Sequence, residues 1–260
     1  MRIVRFDVGE GATCGILQDG IVRRLEGSMF DRPEPGSVVG ELDRVRLLAP
    51  CQPSKVICVG RNYHSLLAVQ GRPLPPHPFT FLKSPNAVVG PTHPILRPFG
   101  VERLVYEGEL GVVIGRTLAR AGAAAMTPLE DWRTYVLGYT CGNDVTALDW
   151  QDPTVQWARA KSSDTFCPLG PWIETDPGSP ENLGLRTTVN GEVRQTGSTS
   201  DMVFGIPQLL GFIASTLTLI PGDVILTGTP PGAAPLADGD VVEVEIEGIG
   251  GLSNPVAPGR

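Results

Sequence analysis

Two glutamates separated by one glycine, in Tyr106-Glu107-Gly108-Glu109-Leu110, carry the first chemical signal in this 260-residue chain. In an extended strand, side chains alternate faces, so Glu107 and Glu109 project from one side with β-carbons roughly 6–7 Å apart. Their carboxylates then converge on one point. Buried together without a cation they would repel and lose hydration, and one would keep its proton. The apolar run from Leu110 to Ile114 argues for burial. An isolated Glu-x-Glu is more often a solvated strand face, and a second acidic segment shifts the balance. In Gly142-Asn143-Asp144-Val145-Thr146, Asp144 follows a β-prone stretch, where a third ligand would project into a cleft. Two glutamates and one aspartate form a hard, all-oxygen set that suits Mg²⁺, Mn²⁺ or Ca²⁺ rather than zinc. Asp149 and Asp152 read instead as helix N-cap or surface residues.

Lysine is scarce, occurring only at Lys55, Lys83 and Lys161. Lys161, in Arg159-Ala160-Lys161-Ser162, is a candidate for a compact ammonium that binds a carboxylate or, desolvated, moves a proton; chance placement is the competing reading. Lys83, in Phe81-Leu82-Lys83, is a similar candidate or a solvent-facing strand residue. Of the three histidines, His77 and His93 sit among prolines, whereas His64 follows Gly60-Arg61-Asn62-Tyr63 just past a strand and is a candidate for proton transfer. Thr227-Gly228-Thr229-Pro230 is a turn that presents backbone amides to an anion or is a plain turn. No nucleophile elbow, Walker A loop or well-placed dinucleotide fingerprint occurs, so serine hydrolase, P-loop and Rossmann readings lose their main support.

These residues need a rigid frame, and the sequence describes a strand-rich one. The 32 glycines and 25 prolines favour many short elements over a helical bundle, and 41% hydrophobic residues suffice for a sizeable core. Runs at Arg2–Phe6, Thr13–Leu17 and Ile21–Leu25 predict a small N-terminal β-rich domain over 1–52. A Pro/Gly cluster at Arg32–Gly36 leads from it toward the main domain, 53–260, which opens with a strand at Lys55–Val59. Strands are expected over Leu104–Gly115, Asp223–Leu226 and Val241–Glu247, a helix over Pro128–Leu137, and a hairpin around Asn190-Gly191. Met202–Gly222 is long and free of charge but too polar for a membrane span, and reads as a buried helix that Thr199-Ser200-Asp201 caps. A formal charge of −7 argues against nucleic-acid or anionic-membrane partners. Five scattered cysteines without a Cys-x-x-Cys pair, and no apolar leader after Met1, point to the cytoplasm.

Taken in order, Val59-Gly60-Arg61-Asn62-Tyr63, Phe81-Leu82-Lys83, Tyr106-Glu107-Gly108-Glu109-Leu110, Asn143-Asp144-Val145-Thr146, Arg159-Ala160-Lys161-Ser162, Val189-Asn190-Gly191 and Gly222-Asp223-Val224-Ile225-Leu226-Thr227-Gly228-Thr229-Pro230 resemble the fumarylacetoacetate hydrolase family. The likeness is strongest to its bacterial 2-hydroxyhepta-2,4-diene-1,7-dioate isomerases and related decarboxylases. It implies an α+β, β-rich fold: a mixed β-roll catalytic domain behind the small N-terminal domain, and a homodimer. It further implies Mg²⁺ or Mn²⁺ on Glu107, Glu109 and Asp144, with Lys161 as the active-site lysine; His64 stays a catalytic candidate from its own position in the chain. Arg61, Tyr63, Lys83, Gln151 and Thr229 become substrate contacts. The implied activity is isomerisation or decarboxylation of a 2-oxo or 2-hydroxy-dienoate dicarboxylic acid through a metal-stabilised enolate. Acylpyruvate-type carbon–carbon hydrolysis and non-catalytic ligand binding are the alternatives. One departure bears on this choice. The family's water-activating His-x-x-Glu pair aligns with Leu66 and Val69 here, and His64 lies roughly 200° away from the first of these positions around a helix of 3.6 residues per turn.

Overall fold

The computed structural model describes all residues apart from positions 10, 121–123, 153, 155 and 260. A large mixed sheet runs through Asp31–Glu41, Ile21–Ser28, Ala12–Gln18, Arg2–Asp7, Cys167–Glu174, Val136–Asn143, Gly108–Ile114, Val224–Leu226, Val56–Gly60 and Phe79–Lys83, in that spatial order. Along this path only Val224–Leu226 and Val56–Gly60 pair in parallel. A second sheet orders Glu192–Ser198, Gly184–Val189, Val241–Ile246, Gly250–Pro258 and Ile95–Arg97. The architecture is α+β and β-rich, as the sequence implies.

Burial follows sequence pattern strand by strand. Val241–Ile246 alternates strictly, with Val242, Val244 and Ile246 buried and Val241, Glu243 and Glu245 exposed, as a half-covered strand should. Gly108–Ile114 is buried at every residue because it has strands on both sides and layers on both faces. Asn190 and Gly191 take φ values of 53° and 80° and form the tight turn between Gly184–Val189 and Glu192–Ser198. The N-terminal strands enclose a core of their own, Val4, Phe6, Leu17, Val22 and Val45. They join the rest of the sheet where Arg2–Asp7 pairs with Cys167–Glu174.

Four local expectations change. The Pro/Gly cluster at Arg32–Gly36 is not a connector but lies inside the edge strand Asp31–Glu41, whose pairing is broken by bulges that tolerate proline. Leu104–Gly115 is interrupted: Leu104–Val105 pairs with Thr146–Ala147, and the main strand begins at Gly108. Within Pro128–Leu137 the chain forms a 3₁₀ turn, Trp132–Tyr135, and then enters the strand that starts at Val136. The charge-free stretch Met202–Gly222 holds one buried helix of nine residues, Ile206–Ala214. Thr199–Asp201 is a separate 3₁₀ turn capped by Ser198. The helix stops where the Ser215 and Thr216 hydroxyls donate back to the Phe212 and Ile213 carbonyls, and Leu219 pairs with Leu118. No described helix is long and apolar enough to cross a membrane.

Candidate functional site

Two neighbouring strands of the large sheet build the acidic centre. Gly108–Ile114 and Val136–Asn143 are antiparallel, with Gly108 opposite Asn143 and Glu109 opposite Gly142. Extending that register by one residue sets Glu107 against Asp144, and the Asp144 N–H donates to the Glu107 carbonyl at 2.9 Å. Glu109 shares the face of Glu107 because Gly108 between them faces the second sheet. A β-carbon at Gly108 would lie 2.2 Å from Thr187 Oγ1, so only glycine lets the two sheets approach this closely. The outcome is that carboxylate oxygens of Glu107, Glu109 and Asp144 all lie within 4.8 Å of one another.

Cations and amides meet these oxygens. Lys161 ends the short helix Ala158–Lys161, and its Nζ donates to Glu107 Oε2 and Asp144 Oδ2, both at 2.7 Å. Lys83 ends Phe79–Lys83 beneath the site and donates to Asp144 Oδ1 at 2.5 Å and to the Val145 carbonyl at 3.0 Å. The Gly228 N–H donates to Glu109 Oε2 at 2.7 Å. Gly228 has φ 101° and sits where a β-carbon would meet Asn62 Cβ at 2.9 Å, so the turn after Val224–Leu226 needs glycine. Thr229 Oγ1 donates to the Gly108 carbonyl and accepts from Gln195 Nε2, while Gln195 Oε1 accepts from the Gly108 N–H. Gln195 therefore fixes the glycine between the two glutamates from the second sheet. Nothing in its local sequence signals this, because the link spans 87 residues.

The electrostatics reflect crowding. Burial pushes the Glu107 carboxyl up to about 7; the Lys161 charge opposes the shift and Asp144 adds to it. Glu109 is pushed well above the usual carboxylate range, by burial first and then by the charges of Asp144 and Glu107. Asp144 goes the other way: burial is its largest influence and acts upward, but Lys161 and Lys83 together hold it below the ordinary value. For Lys161, burial acts downward and is outweighed by Asp144 and Glu107, which keep the ammonium charged. Three carboxylates against two ammoniums leave one negative charge in excess when all are ionised. Such an all-oxygen, net-anionic pocket fits a hard divalent cation.

The acidic centre opens into a cavity of about 370 Å³, within the size range of small-molecule sites. Arg61, Gln151, Lys161 and Thr229 line it together with the three carboxylates. Other expected site residues stand elsewhere. Tyr63 is fully buried in the hydrophobic core, with its hydroxyl unpartnered among the described residues. His64 opens the helix His64–Val69 on the exposed surface and is not part of the cavity wall. Lys83 lies under Asp144, shielded from the cavity. Sequence reading missed Gln70, Arg72, Phe81 and Trp157, which also line the cavity. At the positions of the absent dyad, Leu66 lines the wall and Val69 faces solvent.

Residues 55–257 match the family described as fumarylacetoacetate (FAA) hydrolase, C-terminal, and residues 1–50 match one described as Rv2993c-like, N-terminal. Protein Rv2993c of Mycobacterium tuberculosis is 50% identical over 214 residues, 82% of this chain and 78% of that protein. Oxaloacetate tautomerase YisK of Bacillus subtilis is 41% identical over 237 residues, covering 86% of this chain and 77% of its own length. Among solved structures, the 2-hydroxyhepta-2,4-diene-1,7-dioate isomerase from Mycobacterium marinum superposes with a TM-score of 0.89 at 42% identity, covering 99% of this chain and 98% of the other. The maleylpyruvate hydrolase from Sphingobium sp. SYK-6, solved with manganese(II) and pyruvate, gives a TM-score of 0.80 at 29% identity over the full length of both chains.

Proposed function

The chain belongs to the fumarylacetoacetate hydrolase family, and from that premise we propose that it catalyses proton-shift chemistry, isomerisation or tautomerisation, on a 2-oxo or 2-hydroxy-dienoate dicarboxylic acid with the help of Mg²⁺ or Mn²⁺. Glu107, Glu109 and Asp144 would hold the cation. When bound, it would supply Lewis-acid stabilisation of negative charge on the substrate's 2-oxygen. Lys161, charged and buried between Glu107 and Asp144, is the proton carrier nearest to that point. Phe81 and Trp157, packed edge to face with ring centres 5.5 Å apart, add an apolar patch to the cavity wall. Gln151 and Thr229 sit on the wall where a chelated substrate would be oriented.

A single observation carries the reading: the acidic triad and Lys161 share one cavity whose wall offers Leu66 at the position where the family resemblance aligns the histidine of a water-activating pair. Decarboxylation needs the same charge stabilisation and no water, so it stays within the proposal. The names of the similar proteins, an oxaloacetate tautomerase and a dienedioate isomerase, support this substrate class. All five cysteines are free thiols, four of them buried, which agrees with a cytoplasmic setting. A homodimer is the assembly the family likeness implies.

The test is a turnover comparison with Mn²⁺ or Mg²⁺ on enol-oxaloacetate, a 2-hydroxydienoate and an acylpyruvate, in wild type and Glu109→Gln. The expected result is a proton shift on one of the first two, lost in the presence of EDTA and in the variant, with cation affinity lowered at least ~100-fold by calorimetry. Turnover that survives EDTA, or acylpyruvate cleavage as the fastest reaction, overturns the proposal.

A further inference from the structure

Beside its acidic centre the cavity has a second pole. Arg61 and Arg72 both line it, and neither has a carboxylate partner among the described residues. The cavity's own carboxylates do not serve them either. Lys161 occupies Glu107, both lysines occupy Asp144, and Glu109 accepts from Gly228. Two unpaired guanidinium groups facing one space repel. Burial and the charge of Arg72 both press the Arg61 guanidinium below its ordinary value.

The backbone holds Arg61 in place despite this cost. Arg61 has φ 59°, a left-handed conformation that non-glycine residues adopt only against steric strain. The neighbouring Asn62 fixes that turn. Its side-chain amide donates to the Phe204 and Thr227 carbonyls, and its oxygen accepts from the Phe204 N–H. The Arg61 guanidinium lies over the Phe79 ring, 5.2 Å from its centre. Arg72 arrives from the other end of the helix His64–Val69, just past a turn in which its N–H bonds the Leu67 carbonyl. The start of that helix is itself pinned, because Asp201 accepts from both the N–H and the hydroxyl of Ser65.

The same space also has apolar wall, with Val59, Leu66, Phe81 and Ala233 among its lining residues. A cavity with a hard-cation pole, an apolar stretch and an unpaired guanidinium pair complements a molecule with an anion at each end. We propose that Arg61 and Arg72 form the binding site for the distal carboxylate of a 2-oxo dicarboxylic acid, with Arg72 as the residue that selects dicarboxylates over monocarboxylates. Guanidinium forks match a carboxylate edge, and an anion between the two groups relieves their repulsion. The inference rests on the reading of the acidic triad as the cation site, and it adds the second half of the ligand.

The test uses the Mn²⁺-loaded full chain and calorimetry with three probes: oxalate, which cannot enolise, and the six-carbon pair 2-oxohexanoate and 2-oxoadipate. Wild type should bind 2-oxoadipate about tenfold or more tightly than 2-oxohexanoate, the discrimination that one charge-assisted hydrogen bond supplies. Arg72→Gln should erase that preference while changing 2-oxohexanoate affinity by less than about threefold, and Arg72→Lys should restore part of it. Equal affinity for both six-carbon acids in wild type, or an equal loss for both in Arg72→Gln, overturns the assignment. Oxalate separates the two layers of the argument. If oxalate binds in a Mn²⁺-dependent way and the preference is absent, only the arginine site fails; if it binds equally well without Mn²⁺, the cation site fails first.

Discussion

Replacing Lys161 with methionine removes the ammonium that Glu107 and Asp144 hold and keeps the length and apolar stem of the side chain. Its Nζ lies 2.7 Å from both Glu107 Oε2 and Asp144 Oδ2, and only 2% of the side chain is exposed. At an effective dielectric constant of ~20, each contact is worth about 6 kcal/mol before desolvation. The net loss is far smaller, because the stranded carboxylates can take up a proton; breaking one side of a buried pair typically costs about 3–5 kcal/mol. At roughly 2–4 °C per kcal/mol for a chain of this size, Lys161→Met should melt about 6–20 °C below wild type in EDTA. A divalent cation held by Glu107, Glu109 and Asp144 would replace the positive charge that the substitution removes. The rise in melting temperature on adding Mn²⁺ should therefore be larger in Lys161→Met than in wild type, and calorimetry should show equal or tighter Mn²⁺ binding. Turnover should fall with the metal site filled. Thermal denaturation with and without Mn²⁺ decides the matter. A variant as stable as wild type in EDTA, or one with a smaller metal-induced shift, refutes the claim that Lys161 and the cation share Glu107 and Asp144.

Further consequences concern the frame. Gly108→Ala places a methyl group 2.2 Å from Thr187 Oγ1, and should cost about 3 kcal/mol and weaken Mn²⁺ binding by shifting the strand that carries Glu109. Because that hydroxyl has no hydrogen-bond partner among the described residues, Thr187→Ala in the same chain should recover at least half of the loss in urea denaturation; no recovery would place the strain elsewhere. Glu174 joins the N-terminal strands to the main sheet: the Met1 amino group donates to it at 2.9 Å and Arg2 Nε at 3.2 Å. Burial raises its carboxyl, and these donors with the Asp176 N–H more than offset that, leaving it below the ordinary 4.5. A depressed folded value means stability present above pH 4.5 and lost as pH falls through the folded value. Glu174→Gln should thus cost about 1 kcal/mol or less at pH 7, since the pair is partly open to water, and the difference from wild type should vanish in acid. A pH-independent difference would assign the effect to packing.

How far the sequence reaches can be judged residue by residue. The convergence of Glu107 and Glu109 is legible because strand alternation is a local rule, and the Val and Glu alternation of Val241–Ile246 is read the same way. The approach of Asp144 depends on a strand pairing that alternation does not specify, so composition only suggested it. Tyr63 and Arg61 are neighbours in sequence, yet one is buried in the core and the other lines the cavity. A left-handed φ at Arg61 decides this, and no propensity favours it there. Gln195 and Arg72 are silent for a different reason: a lone glutamine in a hairpin and an arginine among prolines are ordinary surface residues until tertiary contacts assign them neighbours. The helix expected over Met202–Gly222 shortens because an uncharged segment meets a buried environment equally well as helix, turn or strand, and its Ser, Thr and Pro residues choose among these.

The lining of the cavity also separates the reactions the fold supports. Hydrolysis of a carbon–carbon bond needs a water molecule, a base to activate it and a route for that base to titrate. Among the described residues of the wall, the carboxylates are Glu107, Glu109 and Asp144, and each is already engaged by a lysine or a backbone amide. The remaining titratable groups are Lys161 and two arginines, and arginine does not give up its proton at physiological pH. A proton shift along a 2-oxo acid asks for less: one group that holds and returns a proton, a fixed positive charge at the oxygen, and a dry wall. On the proposed reading, Lys161, a cation held by the triad and the apolar patch of Phe81 and Trp157 would meet those needs without help from the positions of Leu66 and Val69. Installing histidine and glutamate there, Leu66→His with Val69→Glu, should consequently leave the proton shift within about an order of magnitude of wild type, and would be expected to add acylpyruvate cleavage only if the exposed Val69 position folds over the cavity.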